Sequence, residues 1–521
     1  MRNDILAIIA IIAIIEMGLA SAASALTVKD STVYNRSTSV ITWTDQQGKE
    51  RKAALVKAGD HTGTCQYFSY YDGAARVSVT PGTPDDDPLN SGFGAMCHHG
   101  SSVFYMQGAL TLRWKGDGMA VFDWASTIDG AIETITYTFM DGHDYFQWAE
   151  TLNGKAGTKG GDSRGPYATL KWDGMGGPAE GVEYGAKRYF KQPTLTGAGY
   201  PNRSGPYTVG GICDIPYAWE WANSREIGYL ATQTFTQQNQ GVPAWSDQLP
   251  AGAATMDPNG GEVWKTDYQM NFYDEGMKIT WGQPYGWMNN SADAAVPACL
   301  KNGWGQYSLS IVMDSKAAGG VMRVRDENRG IHGGKVAFTA ATGTIKLQGP
   351  VGTANPALQT LSPAGYDHNY RAWWVAASGN QIDVSLDISD AAVSLVSPVL
   401  RISDMSAPPG SVMLNAAALA PGKDYYASYD AAGKEAWITI ARTFQGNNRV
   451  TVTAGAQSVR RNRGIPGVPG SAGTRIGWHA LDGSEAGSGN LSSSVYFGWS
   501  PTTHASEGIL NPLSGPKYPK P

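Results

Sequence analysis

Hydrophobic and polar positions alternate with a period of two along much of this chain. The clearest case is residues 134–139, where Ile135, Tyr137 and Phe139 fall on one face and Thr134, Thr136 and Thr138 on the other. Such alternation marks a strand with one buried face. Upstream, Leu110, Leu112 and Trp114 alternate with polar or small residues, Gly116-Asp117-Gly118 turns the chain, and Val121-Phe122-Asp123-Trp124 returns it. Asp141-Gly142-His143-Asp144 is the next turn, and Tyr145-Phe146-Gln147-Trp148 opens a further strand. These elements predict an antiparallel meander with one buried face. Similar strands are predicted over residues 40–44, 229–235, 268–272, 278–281 and 307–313. No long stretch carries a 3.6-residue period with caps, so no helix is predicted.

The texture changes near Ala340. Aromatic residues thin out and short aliphatic strands follow at 384–388, 437–440 and 450–453, with Asn447-Asn448 read as a hairpin turn. The prediction is an all-β protein, a large antiparallel β-supersandwich over 26–335 followed by a smaller Ig-like β-sandwich over 336–459. Residues 460–521 form a Gly/Ser/Pro-rich extension, and 1–25 an export signal. The signal consists of Arg2, an apolar run from Ile5 to Ile15 and the small-residue site Ala23-Ser24-Ala25, with cleavage expected after Ala25. The expected location is secreted or periplasmic. No later stretch approaches a membrane-spanning length, so no membrane association is expected once the signal is gone.

Composition narrows the function classes. The 521 residues carry a formal charge of −5, which offers no basic face for nucleic acid. Glycine is abundant at 65 residues, and 17 Trp with 25 Tyr supply many aromatic faces, as a turn-rich β protein requires. Four cysteines, Cys65, Cys97, Cys213 and Cys299, lack the C-x-x-C spacing of a zinc or redox site. In an exported chain they are expected as disulfides, Cys65 with Cys97 and Cys213 with Cys299. Three consecutive aspartates, Asp85-Asp86-Asp87, read as a solvated acidic loop without the spacing of a calcium loop. No metal and no cofactor are expected.

Candidate chemistry concentrates between Cys213 and Leu230. There Tyr217, Trp219, Trp221 and Tyr229 crowd around Asp214, Glu220, Arg225 and Glu226. Indole faces stack on sugar C–H faces, while carboxylates hold hydroxyls or move protons. On a strand, Trp219 and Trp221 share one face and Glu220 takes the other, so the segment is equally a core strand unless it bulges. A glycine-rich loop over 160–177 carries Asp162, Arg164 and Tyr167, and a second aromatic cluster comprises Trp281, Tyr285 and Trp287. Glycoside hydrolysis needs two carboxyl groups about 5–10 Å apart, for which Glu220 and Asp162 are the candidates. Arg164, Tyr167, Trp219, Trp221, Arg225, Trp281, Tyr285 and Trp287 are the candidate substrate-binding residues. Polysaccharide elimination would instead use a Tyr or His base with an Arg or Asn on the uronate carboxylate, and Arg164, Tyr167, Arg225, His332 and Arg371 are of the right types. Should Glu220 fail, the region of Asp326, His332 and Asp367 is next. Absence of G-x-S-x-G and H-E-x-x-H argues against the common serine hydrolases and zinc proteases.

Residues 132–148, I-E-T-I-T-Y-T-F-M-D-G-H-D-Y-F-Q-W, pair strands around a D-G-x-D turn. With the large aromatic β-region and the smaller sandwich after it, this resembles the galactose-mutarotase-like supersandwich proteins from Leu26 to Arg329. The resemblance implies a carbohydrate-active protein and carries over no catalytic residue, since hydrolases, lyases, epimerases and glucan-binding proteins share the architecture. The expected function is polysaccharide cleavage, with a glycoside hydrolase favoured. A uronate-directed polysaccharide lyase and a non-catalytic glycan-binding surface protein are the alternatives. The expected partner is a polysaccharide or oligosaccharide.

Overall fold

A computed structural model describes residues 26–33, 35–58, 62–63, 65–71, 76–78, 92–99, 102–105, 108–128, 131–153, 164–171, 181–186, 194–196, 207–212, 217–222, 224–236, 269–273, 278–282, 304–352 and 355–455. By contact the chain divides into Met1–Gln457 and Ser458–Pro521, and all described residues belong to the first. The fold is all-β, with strands in several mainly antiparallel sheets.

The predicted meander is present. Ala109–Lys115, Met119–Ile128, Ala131–Met140 and Tyr145–Asn153 pair in succession, each antiparallel to the next. Trp304–Ser315, Arg225–Thr236 and Tyr217–Ala222 extend them into a nine-stranded sheet. An eleven-stranded sheet begins at the edge strand Thr27–Val33 and includes Arg36–Thr44, Glu50–Val56, Cys65–Tyr71, Gly92–His99, Arg164–Lys171 and Lys278–Gly282. The two sheets meet face to face through aromatic side chains. Trp43 lies 5.3 Å from Phe139 and Phe68 lies 5.0 Å from Phe146, centroid to centroid. Trp43, Tyr137 and Trp148 are fully buried, and each such ring contributes about 2–3 kcal/mol of transfer free energy.

The expected single buried face needs correction, because Thr134, Thr136 and Thr138 are buried as well. Their side of the sheet is covered by polar partners. Gln147 Nε2 donates to the carbonyl of His368, Ser310 Oγ donates to Gln147 Oε1, and Ser308 Oγ donates to Asn369 Oδ1. A polar face is thus compatible with burial wherever each polar group finds a partner.

A helix, Gly320–His332, was not anticipated. Its buried stripe contains Val321, Val324, Glu327, Asn328 and Ile331, which has helical spacing. Glu327 and Asn328 break the apolar pattern, and Gly319 at the N-cap offers no side-chain cap, so neither of the usual signals was readable.

Beyond the helix, two smaller sheets pack as a sandwich. Val336–Thr342, Gln381–Ile388, Gly446–Ala454, Pro409–Leu414 and Ala417–Ala418 form one; Thr344–Ile345, Ala372–Ala376, Val399–Ser403, Glu435–Ile440 and Tyr425–Asp430 form the spine of the other. Their shared core includes Trp373, Ile382, Leu386, Ile402, Ile438, Val450 and Val452. Asn447 and Asn448 are not a turn. They pair with Asp387 and Leu386 inside a strand, and the Asn448 amide donates back to the carbonyls of Gln445 and Gly446, where the chain bends.

The Cys65 pairing also needs correction. Cys65 is a buried free thiol. It stands opposite Phe93 in the neighbouring strand, four positions from Cys97. Four residues of strand span about 13 Å, beyond the reach of a disulfide. Cys213 and Cys299 lie outside the described residues. No helix among the described residues is long and apolar enough to cross a membrane.

Candidate functional site: a tyrosine-lined cleft beside a buried ion network

The sequence candidates distribute over both large sheets. Arg164 and Tyr167 belong to a strand, Arg164–Lys171, and not to a loop; Tyr167 stands opposite Gly282, and Trp281 opposite Ala168. These three lie in the eleven-stranded sheet. Trp219, Glu220, Trp221 and Arg225 lie in the nine-stranded sheet. Asp162, Tyr285 and Trp287 lie outside the described residues. Position 220 is in register with Ile227, and Ile227 with Met313, both fully buried. Trp219 and Trp221 are in contact at 4.4 Å, with Lys316 Nζ 4.2 Å above the Trp221 ring. Trp221 is buried, and Trp219 packs with Met322 against the core of Tyr145, Tyr217, Val321 and Val324. Glu226, the next carboxylate in this segment, accepts the Val321 amide at the helix N-terminus. Burial pushes its carboxyl up to about 7, against the pull of that amide.

Asp326, His332 and Asp367 do not converge: Asp326 is exposed and pairs with Arg325, and Asp367 pairs with Arg401. Their sequence neighbours instead build a dense set of polar groups centred on Arg371. Its Nη2 donates to Glu327 Oε2 at 2.6 Å, its Nη1 to Tyr145 Oη at 2.8 Å and its Nε to Asn328 Oδ1 at 3.1 Å. Glu327 Oε1 also accepts from Arg323 and from the Val396 amide, while Arg323 pairs with Asp144. Burial would raise the Asp144 carboxyl, but the Arg323 and Arg51 guanidiniums outweigh it and hold the group well below the usual carboxylate range. Burial pushes the Tyr145 phenol upward despite Arg371. His332 stacks on His368 at 5.0 Å, and burial holds the His368 ring down to about 3. The cavity beside Tyr145, Glu327 and Arg371 is about 20 Å³, room for a single water and no sugar ring. This network ties the helix to the nine-stranded sheet and to the small sandwich. Arg371 itself has φ of 55°, a left-handed backbone that its three side-chain bonds secure.

A larger cavity opens nearby. A cleft of about 470 Å³ is lined by Tyr425, Tyr426 and Tyr429 of the small sandwich, by Pro408 and Pro409, and by Asp117, Gly118 and Asp141 of the meander. Tyr425–Asp430 is an edge strand of its sheet. The turn at Gly116–Gly118 presses against it: the Gly118 amide donates to Ser428 Oγ at 2.9 Å, and a Cβ on Gly116 would sit 2.4 Å from Ser428 Cβ. Glycine is needed there for close approach. Tyr429 Oη donates to the Met405 carbonyl, which fixes that ring at the cleft wall. Asp117 is exposed at the mouth, whereas Asp141 forms part of the floor with no exposed surface. The cleft offers aromatic faces, a free carboxylate and a volume suited to one or two sugar rings. Sequence reasoning missed it. The available signal was three tyrosines in five residues, just after Pro421-Gly422.

Among the described residues no group of three or more His, Cys, Asp or Glu side chains is placed to hold a metal.

No family model matches the chain, and no curated protein matches it. Among solved structures, a polysaccharide lyase is similar at 8% identity and a TM-score of 0.19, over 78% of this chain and 46% of its own. A point mutant of the chondroitin AC lyase of Streptomyces coelicolor A3 is similar at 10% identity and a TM-score of 0.21, over 80% of this chain and 48% of its own. The chain spans about half the length of these structures.

Proposed function

We propose that this is an exported carbohydrate-active protein that holds a polysaccharide segment in the tyrosine-lined cleft. The observation that carries the reading is the cleft itself, in which Tyr425, Tyr426 and Tyr429 line a space of about 470 Å³ with the exposed Asp117 at its edge. Aromatic faces suit the apolar side of a sugar ring, and the carboxylate suits its hydroxyls. Architecture of the mutarotase-like kind belongs to the same proposal. A second reading seats the glycan on the two large sheets instead, with Glu220 and Asp162 as the groups that would cleave the chain by hydrolysis and Arg164, Tyr167, Trp219, Trp221, Arg225, Trp281, Tyr285 and Trp287 as its binding residues. Elimination is the rival chemistry, for which Tyr145 and Arg371 are the right residue types. Burial of Tyr145 and the water-sized space beside it weigh against them.

A panel of neutral and uronate-containing polysaccharides tests the proposal. Binding to at least one glycan is expected. New reducing ends without ultraviolet-absorbing products identify hydrolysis, and unsaturated products identify elimination. Binding without products identifies a glycan-binding protein. Neither binding nor products from any glycan would refute the carbohydrate reading.

A further inference from the structure

Asp141 is a carboxylate with no exposed surface and uncharged hydrogen-bond partners. Its Oδ1 accepts the Thr44 amide at 2.9 Å, and its Oδ2 accepts the Leu26 amide at 3.0 Å. Among the described residues no Lys or Arg is within ion-pair distance of it. Lys115 acts on it only through space. Asp117 lines the same cleft, and Asp45 and Asp141 both act on the Tyr426 hydroxyl from nearby turns. Charge in such a place is costly unless a counter-ion is supplied. Leu26, 1% exposed, contributes one of the two hydrogen bonds, and it directly follows Ala23-Ser24-Ala25, the small-residue pattern of an export cleavage site.

We propose that the leader is cut between Ala25 and Leu26 and that the freed Leu26 α-ammonium stays at the Asp141 carboxylate as its counter-ion. A leader peptidase would add water across the Ala25–Leu26 amide. The hydroxyl goes to the Ala25 carbonyl carbon, which leaves as a carboxylate, and the Leu26 nitrogen takes up protons to become an ammonium. The hydrogen bond to Asp141 then changes from amide–carboxylate to a charge-assisted pair. Export processing would thereby fasten the edge strand Thr27–Val33 to the Asp141–Gly142 turn, where the Gly142 amide already donates to the Thr44 carbonyl. This inference stands apart from the glycan reading and survives its failure.

The pH dependence follows from the sign of the shift. While Leu26 is an amide, burial pushes the Asp141 carboxyl up to about 7, above its unfolded value. The stabilisation is complete while the group is protonated, below about 4, and is lost as pH rises through about 7. With an ammonium beside it the carboxylate is paired, so the loss through neutrality should disappear.

Two measurements on the full chain test this. N-terminal sequencing of exported protein should read Leu-Thr-Val-Lys. Its terminal amine, challenged at pH 7 with an acetylating reagent and followed by peptide mass spectrometry, should react at least tenfold more slowly folded than in urea, and D141N should abolish that protection. Should D141N fail to fold, the leader-bearing and processed chains are compared instead. The thermal midpoint of the former should fall relative to the latter between pH 5 and 8. A mature terminus elsewhere than Leu26, a folded amine that reacts as fast as the unfolded one, or parallel pH profiles for the two chains would overturn the proposal.

Discussion

Replacement of Arg371 by methionine tests how far the buried network holds this fold together. The arginine is almost fully enclosed and makes charged or polar bonds to Glu327, Tyr145 and Asn328. Methionine fills much of the same volume and leaves the left-handed backbone at this position unchanged. The substitution strands the Tyr145 hydroxyl, at about 1–3 kcal/mol for a buried group left unsatisfied, and takes one donor from Asn328 Oδ1. It also removes one of two cations from Glu327, and breaking a buried ion pair costs about 3–5 kcal/mol. Glu327 keeps Arg323 and the Val396 amide, which softens the loss. We therefore expect a net destabilisation of about 4 kcal/mol, read from the urea midpoint of tryptophan fluorescence at constant slope. A lysine at 371 keeps the charge but not the three-pronged geometry and should cost about half as much. Double substitution of Arg371 and Glu327 by methionine should show a coupling energy of about 2–3 kcal/mol. A loss below 1 kcal/mol for the single methionine variant, or strict additivity in the cycle, would refute the reasoning.

Gly116→Ala should cost about 1–3 kcal/mol of stability, because its Cβ would meet Ser428 Cβ at 2.4 Å; an unchanged melting temperature would contradict that contact. Burial holds His143 down to about 4 and His368 down to about 3, both below the unfolded histidine value. Stability from these neutral rings is complete above about 6.5 and is lost as pH falls toward 4 and 3, so the thermal midpoint should drop over that range and His368→Gln should flatten part of the drop. Burial pushes the Cys65 thiol up to about 12, so iodoacetamide at pH 8 should leave Cys65 unmodified in folded protein and alkylate it in urea; rapid labelling of the folded chain would contradict its enclosure.

Much of the strand architecture was legible because a half-apolar strand announces itself by alternation. Ile135, Tyr137 and Phe139 pointed to the inner face correctly, and the turns at Gly116–Gly118 and Asp141–Asp144 fell where glycine and aspartate indicated. What stayed hidden depends on polar groups that bury one another. Thr134, Thr136 and Thr138 read as a solvent face, but the polar partners that enclose that side include residues more than 150 positions away, Ser310 and His368 on Gln147. The same reason concealed the helix, whose inward stripe includes Glu327 and Asn328 for the sake of Arg371. The tyrosine cleft was obscured differently. Y-Y-A-S-Y-D reads as an ordinary sandwich strand, and the cavity forms where Asp117 and Gly118, Asp141 and Pro408-Pro409 come up against it. Trp219 and Trp221 drew attention as a platform by their density, whereas Lys316, Met322 and the helix pack around them.

Location of glycan binding in the cleft is the central claim, and titration calorimetry with the best glycan from the panel tests it most directly. Tyr426 is half-buried at the cleft wall, and its hydroxyl makes no contact on which the described fold relies. Tyr426→Ala should therefore weaken binding about tenfold or more, equivalent to at least about 1.4 kcal/mol, while the melting temperature moves little. Trp219→Ala should leave the affinity within about twofold. Unchanged affinity in Tyr426→Ala, with loss in Trp219→Ala, would contradict the account and return the glycan site to the Trp219–Trp221 strand.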